Sequence, residues 1–317
     1  MSRILLTAVG SMAAAPAARR YQALGHTVFG CDIYPREWTA LAGELDFFQA
    51  RLATEGEPYV EQLREAVRQD KLDFLIPLTD PEVDALAPRK AEFRALGCTV
   101  CVPEERVAAL CRRKDKMNRF LAEKQVCRLI PTESAVPGQP CPFPFPAMVK
   151  PRSGRSSLGQ AVAADEKSYQ TALAGREDCI VQPFLEGDIF CVDVARDAFG
   201  HTRAAARQEL LRNKSGLGMT VEVLPGHPLE AVCAAIAEAV GLVGVVNMEF
   251  IRHGDDFFFL EVNPRFSGGV GFSMAAGMDF AEMMLCCHSC GSVEAFPAAP
   301  RRALLARESA IVLTQLR

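Results

Sequence analysis

The 317-residue sequence lacks several features that would assign it to a familiar class of protein. No apolar run reaches the roughly 20 residues that a membrane-spanning helix needs. The net charge of -4 excludes the broad basic surface of a typical nucleic-acid-binding protein. The start, MSRILLTAVGS, has no signal-peptide layout. These absences predict a cytoplasmic globular protein that binds neither membranes nor nucleic acids.

Common catalytic and cofactor motifs are missing as well. The five histidines are scattered and form no Ser-His-Asp or Cys-His arrangement. Gly10 and Asp32 could be taken for dinucleotide binding, but the loop VGSMAAAPA is not GxGxxG. We expect this loop to line a substrate pocket instead. The P-loop pattern GxxxxGK[ST] is also missing.

Cysteine usage gives no sign of a metal framework. The twelve cysteines include no paired CxxC framework with zinc-site spacing, and most of them lie in apolar contexts. The cluster of Cys286, Cys287, His288 and Cys290 does bring soft ligands together, but no second pair completes a site. We therefore favour buried or surface thiols in a reducing compartment.

The order of apolar and helical segments divides the chain into two halves. Strands and helices alternate over residues 1–103, which predicts an open α/β unit with a parallel sheet. Residues 107–126 are expected to form one basic helix around Lys114 and Lys116. Six prolines within residues 131–146 indicate a constrained connector. After the connector, consecutive strands with short turns predict an α+β region with antiparallel strands.

Two segments carry weak signals for nucleotide binding. Lys150 ends an apolar strand, and the loop after it contains Gly154 and Gly159, which allow a close approach of the backbone to a polyphosphate. Taken alone, a solvated turn would look similar. The segment IVQPFLEGDIFCVDV could present backbone groups to an adenine edge, with Asp188 near a ribose. By itself, a plain strand-turn-strand with an exposed acid explains this segment better.

A stronger signal lies in the segment NMEFIRHGDDFFFLEVNPRFSGG, which predicts a hairpin with a turn at HGDD. Glu261 and Asn263 are two residues apart in a strand and so share one face. Glu249 in the preceding strand can lie across from them. Three oxygen ligands suit Mg²⁺, and buried carboxylates would be costly without a cation. Arg265 could meet a negative acyl or phosphoryl group.

Taken in this order, the motifs resemble the ATP-grasp superfamily, and especially carboxylate-amine ligases related to the carbamoyl-phosphate synthase large subunit. The resemblance covers nearly the whole chain and is most specific at VVNMEF and FFFLEVNPRFSGG. It implies an α/β N-terminal pre-ATP-grasp (Rossmann-like) domain at residues 1–106, followed by an α+β ATP-grasp fold. Residues 107–182 would form the linker helix and the A subdomain with the phosphate loop. Residues 183–317 would form the B subdomain with the metal site and the C-terminal segment.

The resemblance also implies roles for individual residues. Glu249, Glu261 and Asn263 would hold two Mg²⁺ ions, with Mn²⁺ as an alternative. Arg265, Arg207 and Lys150 would act on the reacting groups. The residues that would bind ATP are Lys114, Lys150, Ser153, Gly154, Ser156, Ser157, Gly159, Gln182, Pro183, Phe184, Leu185, Asp188 and Met248. Lys116 is the alternative to Lys114, which is preferred because Leu121 follows it on the same helical face. Pro183 and Asp188 depart from the residues that are common in the family.

The activity implied is that of an ATP-dependent ligase that joins a carboxylate to an amine or thiol through an acyl-phosphate. A small-molecule kinase and a non-catalytic ATP-binding module of the same fold are the alternatives. The expected partners are a small-molecule carboxylate and an amine, with a homodimer as the assembly. We expect the substrate pocket between the N-terminal domain and residues 212–220, where Arg212, Lys214 and Gly216 could contact an anionic acid.

Overall fold

The computed structural model describes residues 1–154 and 158–315, and these residues form three β-sheets with helices packed against them. The strands are β1 (Arg3–Leu6), β2 (Thr27–Asp32), β3 (Asp46–Gln49), β4 (Phe74–Ile76), β5 (Thr99–Val100), β6 (Arg128–Leu129), β7 (Glu133–Ala135), β8 (Ala147–Pro151), β9 (Ala161–Ala163), β10 (Cys179–Pro183), β11 (Asp188–Arg196), β12 (Thr202–Arg212), β13 (Gly218–Val223), β14 (Gly244–His253), β15 (Asp256–Asn263) and β16 (Ala303–Ala306). The α-helices are α1 (Ala14–Ala23), α2 (Glu57–Asp70), α3 (Asp80–Leu86), α4 (Lys90–Ala95), α5 (Glu105–Arg112), α6 (Lys114–Lys124), α7 (Glu166–Leu173), α8 (Pro228–Val240), α9 (Val270–Ala275) and α10 (Phe280–His288).

The first sheet has five parallel strands in the order β3-β2-β1-β4-β5. Its central strand β1 contains Ile4, Leu5 and Leu6, which are fully buried because helices cover both faces of a parallel sheet. The predicted parallel α/β arrangement of residues 1–103 is therefore present. Strand β3 was not predicted, since its side chains are half-buried or exposed and give no clear apolar pattern.

Helix α3 begins with a capping box that fixes its first turn. The carboxylate of Glu82 accepts the backbone N–H of Thr79 at 3.0 Å, and Thr79 is the N-cap. Burial raises the pKa of Glu82, although hydrogen bonds to this carboxylate oppose the shift. The cap places Asp80 at the first position of the helix, where a carboxylate is stabilised by the helix dipole.

The expectation of one continuous helix over residues 107–126 is wrong. Helix α5 ends at Arg112 and α6 starts at Lys114, with Arg113 in an extended conformation between them. The backbone N–H of Lys114 donates to the carbonyl of Arg152 at 3.0 Å instead of continuing α5. The Arg152 side chain also bonds Asp115 in the first turn of α6, at 3.0 Å. Contacts with the segment after β8 therefore interrupt the helix.

The second sheet is antiparallel, with the order β7-β10-β8-β9, and the third has the order β16-β13-β12-β11-β14-β15-β6. The chain passes between them through residues 184–187, which connect β10 to β11. Strand β6 precedes the second sheet in sequence but pairs with β15 of the third. The predicted boundary between residues 182 and 183 thus falls at the last residue of β10.

The third sheet carries apolar side chains on one face and the polar residues of interest on the other. Phe190, Val192 and Met248 lie in an apolar cluster with residues of α5, α6 and α8. Alternation along the strands turns Cys191 and Glu249, which are paired across β11 and β14, to the opposite face. The predicted hairpin is present as β14 and β15. In the part of the chain that the structure describes, we find no helix with the length and apolarity to cross a membrane.

The connector between the second and third sheets gives the first testable prediction. A Cβ at Gly187 would lie 1.7 Å from the carbonyl oxygen of Arg252, so Gly187→Ala forces the backbone apart. We expect its free energy of unfolding to fall by about 2 kcal/mol or more, measured by urea denaturation. Gly43→Ala is the control, because no atom lies within 4 Å of that Cβ. Equal stability of the two variants would contradict the close packing of this connector.

Candidate functional site

The hairpin of β14 and β15 brings the three predicted metal ligands together. In the strand register Glu249 lies opposite Glu261, and Asn247 lies opposite Asn263. The Asn263 amide donates to the Glu249 carboxylate, with 3.2 Å from Nδ2 to Oε1. An irregularity in the pairing follows Glu249, but it leaves Glu261 and Asn263 on one face. The period of two along β15 predicts that Glu261 and Asn263 share a face, and the hairpin predicts that Glu249 lies across from them, as observed.

The two facing carboxylates repel each other and are partly neutralised by nearby cations. Burial, together with the charge of Glu261, raises the pKa of Glu249 to about 7. Lys114 forms an ion pair with Glu261, with 2.9 Å from Nζ to Oε2. Arg212 lies 3.8 Å from the other carboxylate, measured from its Nη2 to Oε2 of Glu249. The site therefore combines two closely spaced carboxylates with cationic side chains from α6 and β12.

Two buried lysines lie beside these carboxylates. Lys150 in β8 is 5% exposed and Lys114 is 8% exposed. Burial lowers the pKa of Lys150 to about 8, an effect that Glu261 opposes and Lys114 reinforces. Nζ of Lys114 also lies 3.4 Å from the carbonyl of Gly154. Lys116 is exposed on the outer side of α6, so Lys114 is the lysine that the structure places at the site.

The predicted phosphate loop borders the lysines. Lys114, Lys150, Gly154 and Glu261 surround one small cavity, which Leu158 and Gln160 also line. Ser153 directly precedes Gly154 in the sequence, and Gly159 directly follows Leu158. Gly159 has a positive φ of 73°. Ser156 and Ser157, which were also predicted to bind phosphate, lie outside the described residues.

The predicted adenine hinge lies at the end of β10 and in the connector. Gln182 is buried, and its amide donates to the hydroxyl of Thr132 at 2.7 Å. Pro183 ends β10, and the N–H of Phe184 donates to the carbonyl of Pro146 at 3.1 Å. Phe184 and Leu185 are half-buried. The hinge is thus tied to the proline-rich connector.

Asp188 and Met248 do not lie on the sheet face that carries the carboxylates. Asp188 pairs with Arg252 across β11 and β14, both in strand register and through an ion pair. Strand alternation puts Asp188 on the face of Phe190, over whose ring the Arg252 guanidinium lies at 5.7 Å. Met248 is 1% exposed within the apolar cluster on that same face. Nothing in the sequence indicated that Arg252 is the partner of Asp188.

Arg207 is the centre of a buried polar network. Its side chain is 1% exposed and donates to Asp193 at 2.6 Å and to Glu209 at 3.2 Å. The hydroxyls of Ser267 and Ser273 accept further hydrogen bonds from the guanidinium, at 3.1 and 3.2 Å. Although burial opposes the shift, these acidic neighbours raise the pKa of Arg207 further above its ordinary range.

Three further members of this network were not predicted from the sequence. Asp193, Glu209 and Asn247 are all buried on the cleft side of the third sheet. The Asn247 amide lies 3.3 Å from Oδ1 of Asp193 and 3.4 Å from the amide of Asn263. Charged residues at every second position of an apolar strand, as in Arg207 and Glu209, are the signal that could have identified them.

Arg265 is already paired in the structure. Its guanidinium forms a two-point ion pair with Asp80 of the first unit, at 3.1 and 3.0 Å. It also lies 3.4 Å from the side-chain oxygen of Asn263. The predicted contact with an acyl or phosphoryl group would therefore come from a guanidinium that Asp80 holds in place.

A cleft of about 800 Å³ opens between the first unit, the hairpin and the loop after β12. Gly10 and Asp32 line it, as expected for the first loop, and Arg212 and Gly216 line it from the other side. Lys214 is exposed and does not line the cleft. The cleft thus lies where the sequence placed the substrate pocket.

The donor set of the hairpin fits a hard divalent cation. Glu249 and Glu261 supply two carboxylates and Asn263 an amide oxygen, the ligand types that Mg²⁺ prefers. Burial and the charge of Glu261 raise the pKa of Glu249, and a bound cation would favour its ionised form. The hairpin set has two carboxylates and one amide. Within residues 1–154 and 158–315, no group made up of three or more His, Cys, Asp or Glu side chains is arranged to hold a metal, and the cluster at Cys286–Cys290 is therefore not such a site.

Comparison with known proteins gives one family model that matches part of the chain and several similar proteins. A family model described as "ATP-grasp in the biosynthetic pathway with Ter operon" matches residues 175–308. A formate-dependent phosphoribosylglycinamide formyltransferase of Pseudomonas savastanoi pv. phaseolicola is 27% identical over 222 residues, which are 64% of this chain and 55% of that protein. The chain thus spans little more than half the length of this relative.

Two solved structures share the fold. One is the biotin carboxylase domain dimer of Hydrogenobacter thermophilus 2-oxoglutarate carboxylase in complex with MgADP, ADP and bicarbonate, with a TM-score of 0.74 and 15% identity. The match covers 91% of this chain and 70% of that one. The other is N5-carboxyaminoimidazole synthetase of Staphylococcus aureus, with a TM-score of 0.72, 14% identity and coverage of 96% and 80%.

The raised pKa of Glu249 predicts a pH-dependent stability in the presence of a chelator. The folded state keeps a proton on Glu249 up to about pH 7, whereas the unfolded chain releases it near 4.5. The folded state therefore binds more protons in this window, so stability falls as the pH rises through it. Because Glu249 is still one-fifth accessible, we expect a loss of only about 1–2 kcal/mol relative to Glu249→Gln.

Urea denaturation of both proteins at a series of pH values measures this loss. Glu222→Gln is the control, since Glu222 lies in β13 and pairs with Arg302 outside the cleft. A difference between wild type and Glu249→Gln that stays constant from pH 4.5 to 7 would show that Glu249 is not perturbed.

Proposed function

We propose that the chain is an ATP-dependent ligase of the ATP-grasp superfamily, which the family model matching residues 175–308 and the fold shared with the two solved structures support. It would join a carboxylate to an amine or thiol through an acyl-phosphate. The observation that carries the proposal is the convergence of two buried lysines, Lys114 and Lys150, with Glu249, Glu261 and Asn263. Cations for a polyphosphate and oxygen ligands for a metal are what phosphoryl transfer requires.

The lysines would bind the phosphates of ATP. Lys150 is fixed in β8 and buried, so its charge acts over a short distance in surroundings of low polarity. Lys114 now pairs with Glu261 and would turn to the nucleotide when that carboxylate gains a metal ion. Mg²⁺, or Mn²⁺ in its place, would be held by Glu249, Glu261 and Asn263 and would neutralise charge on the phosphates. The MgADP bound to the Hydrogenobacter biotin carboxylase domain supports this choice.

The remaining nucleotide contacts would come from the loop and the hinge. Gly154 and Gly159 would let the loop backbone approach the phosphates, with the hydroxyls of Ser153, Ser156 and Ser157 as further donors. The backbone of residues 182–185 would face the adenine. The connector is suited to this role, because the N–H of Phe184 already bonds Pro146 and fixes the path of the chain.

The proposed reaction has two balanced steps. A carboxylate oxygen of the substrate attacks the γ-phosphorus, a new C–O–P linkage forms, and ADP leaves. An amine then attacks the acyl carbon, phosphate leaves with the C–O bond electrons, and the amine loses a proton. The protein would supply orientation and charge. Arg207 would stabilise the charge of the acyl-phosphate during the second step. Its guanidinium lines the cleft beside Gly269, where a Cβ would lie only 2.7 Å from it, so the glycine places no side chain over this side of the guanidinium.

Replacement of Glu261 tests the metal assignment. Glu261→Gln keeps the size of the side chain and removes the charge, so we expect an intact fold and ATP turnover that is at least about 100-fold lower. Release of ADP is the measurement, and thermal unfolding checks the fold. Asp256→Asn is the matched control, since Asp256 begins the same strand and pairs with the exposed Arg128. Normal ADP release by Glu261→Gln would refute the metal site.

Dependence on a second substrate separates a ligase from a kinase. We screen carboxylates alone and in pairs with amines, and measure phosphate release together with amide formation by mass spectrometry. A ligase should release free phosphate in step with amide, and at least about 10-fold faster when both substrates are present. ADP formation at full rate with the carboxylate alone, without amide, would identify a kinase.

The assembly is proposed to be a homodimer. The Hydrogenobacter biotin carboxylase domain with the same fold was solved as a dimer. Light scattering of the purified protein tests this directly, because a monomer and a dimer differ twofold in mass.

A further inference from the structure

The outer part of the cleft carries large apolar side chains that the proposed reaction does not use. Trp38 is 68% exposed, Tyr34 52%, Leu52 50%, Met12 45% and Ile33 41%, and all five line the cleft. Single exposed apolar residues are ordinary on a protein surface, but a group of them on one concave surface marks a binding site.

Polar anchors hold this apolar surface in place. Asp32 is buried and accepts the backbone N–H of Tyr34 at 3.2 Å and that of Gly10 at 2.8 Å, so it ties the two loops together. The amide of Gln49 donates to the carbonyl of Ile33 at 2.9 Å. The rings of Tyr34 and Trp38 stack with centroids 6.1 Å apart and an interplanar angle of 30°. The surface is therefore formed before any ligand binds.

The apolar surface continues to the reacting end of the cleft. A Cβ at Gly268 would lie 2.6 Å from Cδ1 of Leu217 and 3.8 Å from Cβ of Met12, so the three residues adjoin. The next residue, Gly269, adjoins the guanidinium of Arg207. A single ligand can thus contact the apolar surface with one end and the charged groups of the third sheet with the other.

We infer that one of the two small-molecule substrates carries an aromatic or large aliphatic group that packs on Tyr34, Trp38 and Leu52. Its carboxyl or amino head would then lie at the end of the cleft near Arg207 and Glu249. This inference rests on the proposed function for the identity of the head group. The cleft of about 800 Å³ is far larger than a one-carbon acid needs and is within the range of drug-sized ligands.

Trp38 is the only tryptophan of the chain, so its fluorescence reports on this surface directly. The protein, without ATP or divalent cation, is titrated with 3-phenylpropionate and phenethylamine, and with propionate and ethylamine as partners that lack the ring. We expect a saturable change in Trp38 emission, with a dissociation constant at least about 10-fold lower for a phenyl compound than for its ring-free partner. The acid and the amine show which substrate carries the group.

Variants locate the binding. Leu52→Ala should weaken binding of the phenyl compound about 3-fold to 10-fold. Phe199→Ala should leave it unchanged, because Phe199 is 64% exposed and lies outside the cleft. Trp38→Ala, followed by calorimetry, should abolish the preference for the ring. Since Trp38 is largely exposed, this variant should keep the wild-type unfolding temperature.

The outcomes separate this inference from the ligase proposal. Equal affinity for phenyl and ring-free compounds, or equal loss in the Leu52 and Phe199 variants, would overturn the apolar subsite even if ATP-dependent ligation of small substrates is found. Ring-selective binding without any acid-dependent ADP release would keep the subsite and refute the ligase.

Discussion

The structure depends on two carboxylates that the hairpin register places directly opposite each other. Like charges in this position destabilise a pair of strands, so Glu249 and Glu261 need compensation from elsewhere. The compensation comes from three different elements: Lys114 at the start of α6, Arg212 at the end of β12 and the Asn263 amide beside them. The break between α5 and α6 is part of this arrangement, because it makes Lys114 the first residue of a new helix.

A second layer of polar groups supports the first. Asn263 contacts Asn247, which contacts Asp193, and Asp193 binds Arg207. A fully buried ion pair of this kind adds little net stability compared with an apolar pair, yet removal of one partner costs about 3–5 kcal/mol. The network is therefore better explained by the orientation it gives to the hairpin side chains than by the stability it adds.

Local sequence patterns predicted the parts of the site that lie within one element or one hairpin. The period of two along β15 was enough to bring Glu261 and Asn263 together, and helical spacing was enough to prefer Lys114 over Lys116. Contacts between distant segments were not predictable. Arg113 leaves the helical conformation because Arg152 binds the next residues, and Arg265 is held by Asp80. The ion pair of Asp188 with Arg252 was not predictable either, since the register of β11 against β14 depends on tertiary pairing.

Two short strands at the edges of the sheets were also not predictable from local sequence patterns. Strand β6 is only two residues long and pairs in parallel with β15, more than a hundred residues further along the chain. Nothing in such a short segment distinguishes it from a loop. Strand β3 has a mixture of half-buried and exposed side chains and was missed for a related reason.

The ion pair between Asp80 and Arg265 bears on whether the first domain could fold as a separate fragment. Asp80 is 1% exposed at the start of α3, and the cations near it are Arg265 and, at 3.8 Å, Arg112. Both lie beyond residue 106, where the first domain was expected to end. A fragment that stops there would retain a buried carboxylate and lose both guanidinium groups. The first sheet and its helices therefore depend on Arg112 and Arg265 to compensate the buried charge of Asp80. In this electrostatic sense the first unit extends into the later segments that carry these two arginines.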